Sequence, residues 1–469
     1  MSRVIIVGAG PSGIAAASRL IQNGFDVTIF EAENRIGGRI CSFQMGEYTA
    51  DLGAEWVHGE KDNVAFELAW PLGLLERAYE NKEFNSSGIF VGSDGEIISE
   101  QVAAPLLKLL ENISDTVGDV VGTLKTGSVG EYAEIKINEY FKSHPEISAD
   151  KHKPLMESLN SAQMTMDGAK NWHEVSAKGF KDYADCEGDQ LINWKHRTYS
   201  TILDILMKKY PNPKEELPIR SKTKLNSKIS RIDYSKSPIK VTTINGENFF
   251  ADHIIVTPSI AVLQKNHETL FTPALTGKKL NAIMNLALGR IAKILVYYEN
   301  PWWIGEPFWF RHLYWTSEDK KEIENDPQRR WMLGLTSSMR IEHRPKMMVF
   351  WVTGCYVHEM ESIDEKLFQE QVKQVINKFF GKTHKLSEPK IIKRSLWNTN
   401  ENFLGTQSFR PVKADLVDAH IEDYAAPIEV NNKPTILFAG EATSLHYSTV
   451  HGAIESGWRE ADRLINYYK

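Results

Sequence analysis

The chain is poor in cysteine. Its three residues, Cys41, Cys186 and Cys355, are odd in number and far apart in 469 positions. They make neither a disulfide framework nor a metal knuckle, and a reducing compartment is expected. A basic surplus is also lacking: 55 Lys and Arg stand against 61 Asp and Glu, a net charge of -6. That balance counts against the general nucleic-acid binder with its basic face. No apolar run reaches the roughly 18 residues of a membrane span. Met1-Ser2-Arg3 runs straight into Val4-Ile5-Ile6-Val7, which is not a secretory layout. The tail Asn466-Tyr467-Tyr468-Lys469 is not a Ser-Lys-Leu peroxisomal address. A cytoplasmic protein without membrane attachment is the expectation, in which the Asn-x-Ser sequons at Asn85 and Asn112 carry no meaning. Internal repeats, low-complexity linkers and His-Glu-x-x-His spacings are absent as well, so no metal site is expected.

What is present is ordinary globular material, 42% hydrophobic and 25% charged, in a chain long enough for two or three units. Val4 to Val7 reads as a strand buried on both faces, Ile14 to Gln22 as a helix stopped by Asn23-Gly24, and Val27 to Phe30 as a second strand ending at Glu31. From Val64 to Tyr210 the pattern is of amphipathic helices, such as Val102 to Ile113 and Tyr199 to Met207. Short strands return at Lys228 to Ile232, Ile239 to Ile244 and Ala251 to Pro258, and again at Ile291 to Tyr298 and Met347 to Val352. A helix is expected over Glu365 to Phe380. The chain closes with a strand, Thr435 to Ala439, the pair Gly440-Glu441, and a helix from Gly452 to Tyr468.

Gly8-x-Gly10-x-x-Gly13 between the first strand and helix has a physical logic. Gly8 permits the tight turn, Gly10 lets a pyrophosphate approach the backbone, and Gly13 lets helix and strand pack closely. The helix N-terminus offers its unpaired N–H groups to phosphate. Glu31 ends the second strand, where a carboxylate accepts ribose hydroxyls. Arg35-Ile36-Gly37-Gly38-Arg39 adds further N–H donors and a guanidinium, more than a nicotinamide-only domain needs. Gly440-Glu441 places a second carboxylate after the last strand.

With these motifs on the page, the chain resembles the flavin-dependent amine oxidases, most of all the animal-type polyamine oxidases, over Val4 to Ile465. The resemblance implies an α/β fold, a Rossmann-like FAD domain interleaved with a mixed-sheet substrate domain. It implies non-covalent FAD, held by Gly8, Gly10, Pro11, Ser12, Gly13, Glu31 and Arg39. Further cofactor contacts are implied at Gly53, Ala54, Glu55, Trp56, Ile232, Trp397, Gly440, Glu441, Thr449 and Val450. Lys293 sits inside the apolar run Ile291 to Val296, where an ammonium is costly unless paired or turned to a polar cavity. The resemblance implies that it holds a water against flavin N5. It also implies that His58 bonds a substrate nitrogen, that Phe403 is an aromatic wall, and that Ser448 and Thr449 form the opposite, small wall. Glu157 is the candidate for a distal ammonium of the substrate.

The implied partners are a small amine and dioxygen, with hydrogen peroxide as product; the oligomeric state stays open. The FAD domain is expected from residues 1–75, 220–288 and 395–469, and the substrate domain from 76–219 and 289–394. Two other readings remain. One is an L-amino-acid oxidase on the same fold, which would need Arg311, Arg340 or Arg410 for a substrate carboxylate. The other is an FAD-stabilised interaction protein without turnover.

Overall fold

Val4, Ile5, Ile6 and Val7 are all buried because their strand, Arg3–Val7, runs through the interior of a six-stranded sheet. In the computed structural model, which describes residues 2–78, 88–306 and 309–469, this strand pairs in parallel with Asp26–Phe30 on one side and His253–Val256 on the other. Lys433–Phe438 continues the parallel ladder, and Thr223–Lys224 and Ile428–Val430 close the two edges. A sheet so covered on both faces is built on unbroken aliphatic runs, which Val4 to Val7 and Ile254 to Val256 supply at its centre. The sequon at Asn85 lies outside the described residues.

The first helix, Pro11–Gln22, and the last, Val450–Tyr467, pack on each other across this sheet. Their closest approach needs a bare backbone: a Cβ on Gly457 would lie 2.2 Å from the Ser12 carbonyl oxygen. The two ends of the chain therefore meet directly beside the glycine-rich turn.

The second large sheet has seven strands, in the order Ile391–Arg394, Ile291–Tyr297, Arg344–Thr353, Leu335–Ile341, Phe310–Tyr314, Ile89–Gly92 and Ile97–Ile98. All its pairings are antiparallel except that of Phe310–Tyr314 with Ile89–Gly92. Its core joins Trp303, Trp331, Phe350, Phe368 and Phe379, the last two supplied by the helix Glu365–Phe380. Asp364 caps that helix, accepting from the backbone N–H of Lys366 and Leu367.

Two expectations are corrected. The stretch from Val64 to Tyr210 is not wholly helical, since Ile89–Gly92 and Ile97–Ile98 are strands of the second sheet. Ala251 to Pro258 is not one strand. Asn248–Ala251 belongs to a small antiparallel sheet with Ile239–Thr243 and Ile229–Asp233, and His253–Val256 to the parallel one. Asp252 turns the corner between them, its carboxylate accepting from the Arg3 backbone N–H at 2.9 Å. Short apolar strands carry too few residues to show such a break by period alone. Among the described residues no helix is long and apolar enough to cross a membrane.

Candidate active site

A cavity of about 2170 Å³ is lined by residues of both large sheets and of the segments between them. Its first wall is the glycine-rich turn. Gly8 has a φ of 108°, and a Cβ there would meet the Thr257 hydroxyl at 2.3 Å. Gly10 faces Gly38 of the second glycine turn, whose Cα is its nearest neighbour, so two surfaces without side chains confront each other. The Arg35 guanidinium holds the second turn, donating to the carbonyls of Gly38 at 2.8 Å, Ile40 at 3.1 Å and Ile36 at 3.3 Å. No side chain caps the helix that begins at Pro11, so its first N–H groups are left for an anion. Gly13 does not face the cavity. It lies beneath the turn, where a Cβ would sit 2.0 Å from the Gly8 carbonyl oxygen.

Two buried carboxylates bracket this cradle. Glu31 accepts from the N–H of Ala9 at 2.7 Å and of Glu33 at 2.8 Å, while burial pushes its carboxyl above the usual range. Glu441 accepts from Arg39 Nη1 at 2.8 Å, from Ser408 Oγ at 2.5 Å and from the Ser448 N–H at 2.8 Å. It ties the second glycine turn to the start of the last helix. Glycine cradle, free helix N-terminus and flanking carboxylates are the donor and acceptor set that a dinucleotide such as FAD requires. Their residues fit it.

Farther along, Lys293 is 4% exposed. Its ammonium is fully engaged with the segment 51–55, donating to Glu55 Oε2 at 2.5 Å and to the carbonyls of Gly53 at 2.9 Å and Asp51 at 3.2 Å. The rings of Trp56 and Trp351 flank it at 5.6 and 5.1 Å. Glu55 has a second acidic neighbour, Glu342, which is 3% exposed and accepts from Trp56 Nε1 at 2.9 Å. Burial first, and the Glu55 carboxylate next, push the Glu342 carboxyl up strongly. Asp51, buried beneath the pair and hydrogen-bonded by Ser42 Oγ at 2.6 Å, is raised by burial to about 7. One lysine thus stands among three carboxyl groups, of which two favour their protons.

The direction of the Glu342 shift fixes a pH effect. A carboxyl raised in the folded state contributes stability below its unfolded value and loses that contribution as pH rises through the folded value. The thermal midpoint of the FAD-loaded protein is expected to fall between about pH 6 and pH 9, and to fall less steeply in Glu342→Gln, which keeps the Trp56 bond. Asp51 acts in the same direction in both proteins, so the slope is reduced and not abolished. Parallel slopes in wild type and variant would contradict the assignment.

Of the residues that the sequence pointed to, most face this cavity: Gly8, Gly10, Pro11, Ser12, Glu31, Arg39, Gly53, Ala54, Glu55, Trp56, His58, Lys293, Trp397, Phe403, Gly440, Glu441, Ser448, Thr449 and Val450. Ile232 does not. It is fully buried in the core of the small sheet, and Ile229 and Ser230 of the same strand face the cavity instead. Glu157 does not either. Both its carboxylate oxygens bind Lys320, at 2.8 and 2.9 Å, away from the cavity. Asp167, at the end of the same helix, is the residue that faces inward, and burial raises its carboxyl to about 6.

Other side chains face the cavity with their polar groups already spent. The Thr449 hydroxyl donates to the His446 carbonyl at 2.6 Å and accepts from the Gly452 N–H at 2.9 Å, capping the last helix. Ser448 donates to the Ser408 carbonyl. Phe403 packs edge-on against Trp397 at 5.1 Å, under the Arg35 guanidinium and beside Ser259, on the dinucleotide side. The rings beside Lys293 are the two tryptophans. His58 keeps a usable atom: its Nδ1 lies 2.6 Å from the Gln190 carbonyl and so must carry the proton, leaving Nε2 as an acceptor. Burial lowers its affinity for a second proton.

The cavity lining is rich in carboxylates. Glu60, Glu111, Asp115, Asp167, Asp185 and Asp189 face it, and the basic residues among its described lining are Arg39, Lys228 and Lys293. Asp185 is raised by burial and by the nearby Asp115 charge. Glu342 and this acidic lining were not anticipated from sequence, because isolated acids in turns and on helix faces give no local signal. None of the arginines an amino-acid oxidase would need, Arg311, Arg340 and Arg410, lines the cavity, and none of the three cysteines does.

Comparison with known proteins agrees with this geometry. Residues 11–465 match the family model described as flavin containing amine oxidoreductase. The human peroxisomal N(1)-acetyl-spermine/spermidine oxidase is 28% identical, the alignment covering 99% of this chain and 95% of that protein. Polyamine oxidase 1 of Oryza sativa is 27% identical over 100% of this chain and 98% of its own. Among solved structures, a putrescine oxidase double mutant superposes with a TM-score of 0.70 at 19% identity over 99% of both chains. The cyclohexylamine oxidase of Brevibacterium oxydans superposes with the same score at 18% identity, over 100% of this chain and 99% of its own. The chain belongs to the flavin-containing amine oxidoreductase family and is an FAD-dependent amine oxidase.

Proposed function

We propose that the chain oxidises a C–N bond of a polyamine, spermine or an N-acetylated polyamine. The observation that carries this reading is the acidic lining of the cavity, where Asp115, Asp167 and Asp185 stand among the carboxylates facing inward and Arg39, Lys228 and Lys293 are the lysine and arginine residues of the described lining. A monoamine has no use for such a wall, whereas a chain of spaced ammonium groups is stabilised along its whole length. The printed names of the human and rice relatives point the same way.

FAD, which the two glycine turns, Glu31, Arg39 and Glu441 would hold, would supply the two-electron chemistry that converts an amine to an imine and reduces dioxygen to hydrogen peroxide. The protein's part is positioning and proton management. The carboxylates of the lining hold the distal ammonium groups and fix how far the chain enters. His58 Nε2, held in the acceptor tautomer by the Gln190 carbonyl, takes a hydrogen bond or proton from the reacting nitrogen. An uncharged nitrogen is what the reaction needs. Lys293, fixed by Glu55 and the carbonyls of Gly53 and Asp51, keeps an ammonium in the cavity wall that acts as a proton donor by releasing one of these three bonds. Trp56 and Trp351 exclude water around it. The cofactor is held without a covalent bond, a reading supported by the fact that none of the three free cysteines lines the cavity.

The same proposal assigns the cofactor to residues 1–75, 220–288 and 395–469, and the amine to 76–219 and 289–394. Every strand of the six-stranded sheet comes from the first set, and every strand of the seven-stranded sheet from the second. Residence in the cytoplasm is supported by the three unpaired cysteines, which suit a reducing compartment.

Anaerobic mixing tests the substrate. Spermine or N1-acetylspermine is expected to bleach the flavin within a single turnover, and cyclohexylamine, benzylamine and free amino acids to leave it oxidised. Bleaching by a monoamine in the absence of any polyamine response would overturn the reading.

A further inference from the structure

Behind the cavity wall, three side chains from distant parts of the chain bring their hetero atoms close together. Cys186 Sγ lies 3.6 Å from His451 Nε2 and 3.8 Å from His446 Nδ1, and the ligand atoms of all three fall within 4.8 Å of one another. Among the described residues it is the one such group. A tetrahedral zinc ion, with Zn–S near 2.3 Å and Zn–N near 2.0–2.1 Å, separates a sulfur from a nitrogen ligand by about 3.5 Å. The two measured separations are close to that edge length. Cysteine thiolate with two imidazoles is also the soft donor set that such ions select.

The surrounding structure holds the group in place. Gly59 admits Cys186 at a distance where any side chain would collide, its Cβ falling 2.4 Å from the cysteine Cβ. Ala184 N–H donates to the Leu445 carbonyl at 3.2 Å, joining the cysteine's loop to the histidines' segment. Thr449, which caps the last helix, donates to the His446 carbonyl and so fixes one histidine relative to the other. Glu455 follows His451 by one helical turn on the same face, and its Oε2 lies 3.7 Å from His446 Nε2. A carboxylate behind the outer nitrogen is the arrangement that orients a metal-bound histidine. Loading would give up two hydrogen bonds, His446 Nδ1–H to the Ala184 carbonyl at 2.6 Å and the Cys186 thiol to the Asp62 carbonyl at 3.6 Å.

We infer that Cys186, His446 and His451 form a binding site for one divalent transition-metal ion of the zinc class, with its fourth position left to water. None of the three faces the amine cavity, but their neighbours Asp185, Tyr447 and Thr449 do. The ion is therefore a clip, joining the acidic loop around Asp185 to the start of the last helix, and not a participant in amine oxidation. Sequence spacing hides it, since Cys186 and His446 are 260 residues apart.

The test uses the FAD-loaded protein, stripped with a chelator and titrated with Co²⁺. One Co²⁺ per chain is expected, with tetrahedral d–d absorption at wavelengths longer than the flavin's and a thiolate-to-cobalt charge-transfer band in the difference spectrum. Equimolar Zn²⁺ should abolish both. Cys186→Ser should remove the charge-transfer band and weaken Zn²⁺ binding by at least about tenfold. His446→Gln, at a half-buried position, should weaken it similarly and serves if the buried cysteine variant does not fold. Cys41→Ser and Cys355→Ser should change neither band. A protein that takes up no Co²⁺, or a spectrum unchanged by both Cys186→Ser and His446→Gln, would overturn the site.

Discussion

Lys293→Met is expected to lower turnover with the preferred amine by about 10²–10⁴-fold, the range for loss of a positioned acid–base group, while leaving the flavin bound. It should also unfold more readily. The lysine and Glu55 are both nearly enclosed, with side-chain exposures of 5% and 11%, and removing one partner of a buried pair costs about 3–5 kcal/mol. Here the orphaned carboxylate would also face Glu342. These two effects have different origins, and a double variant separates them. Lys293→Met with Glu55→Gln removes both charges, so the thermal midpoint should recover toward wild type while turnover stays low. If the double variant regained turnover as well, the lysine would be only a counter-ion for Glu55. If Lys293→Met alone turned over within a few-fold of wild type, it would have no part in the chemistry.

This pair also shows how far the sequence could be read. Lys293 was legible because a charge inside Ile291 to Val296 breaks a buried strand's pattern, and Glu55 because it stands in a motif. Their contact was not legible, since a 2.5 Å pairing across 238 positions is made where the loop after the strand Tyr48–Asp51 meets the seven-stranded sheet. Glu342 is farther still from notice. It follows the strand Leu335–Ile341 at a hairpin turn, where a glutamate is ordinary, and it gains meaning only from Trp56, 286 residues earlier.

The misplacements have equally physical causes. Glu157 and Asp167 lie on one helix, Ala149–Asp167, but on different faces, and which face the cavity takes is decided by tertiary packing. Ser448 and Thr449 look like free hydroxyls in the sequence, yet the start of the last helix claims Thr449 as its cap and the Ser408 carbonyl takes the Ser448 hydroxyl. Phe403 is one of many aromatic residues, and the rings beside Lys293 turned out to be the two tryptophans. The parallel sheet and its glycine turn were legible almost residue by residue, because strand, turn and helix there are adjacent in the chain. Local order reads well from sequence; convergence of distant segments does not.

The glycine turn yields the second large effect, and it depends on telling two glycines apart. Gly10 has an ordinary φ of -74°, and a methyl group there would meet nothing nearer than the Gly38 Cα at 3.9 Å. Gly10→Ala should therefore fold normally. The methyl instead fills the space in which the backbone would approach a pyrophosphate, so FAD affinity is expected to fall by about 10²-fold or more. The outcome is a soluble, native-like but colourless protein. Gly13 is the reverse case, because its Cβ would sit 2.0 Å from the Gly8 carbonyl oxygen and 3.2 Å from Ile6. Gly13→Ala must push helix from strand, an overpacking cost of about 1–3 kcal/mol, and should lower the thermal midpoint of the flavin-free protein. Circular dichroism melts and flavin titrations on both variants measure the contrast. Full flavin uptake by Gly10→Ala would mean that the pyrophosphate does not lie between the two glycine turns, and the placement of the cofactor along this cavity would have to be abandoned.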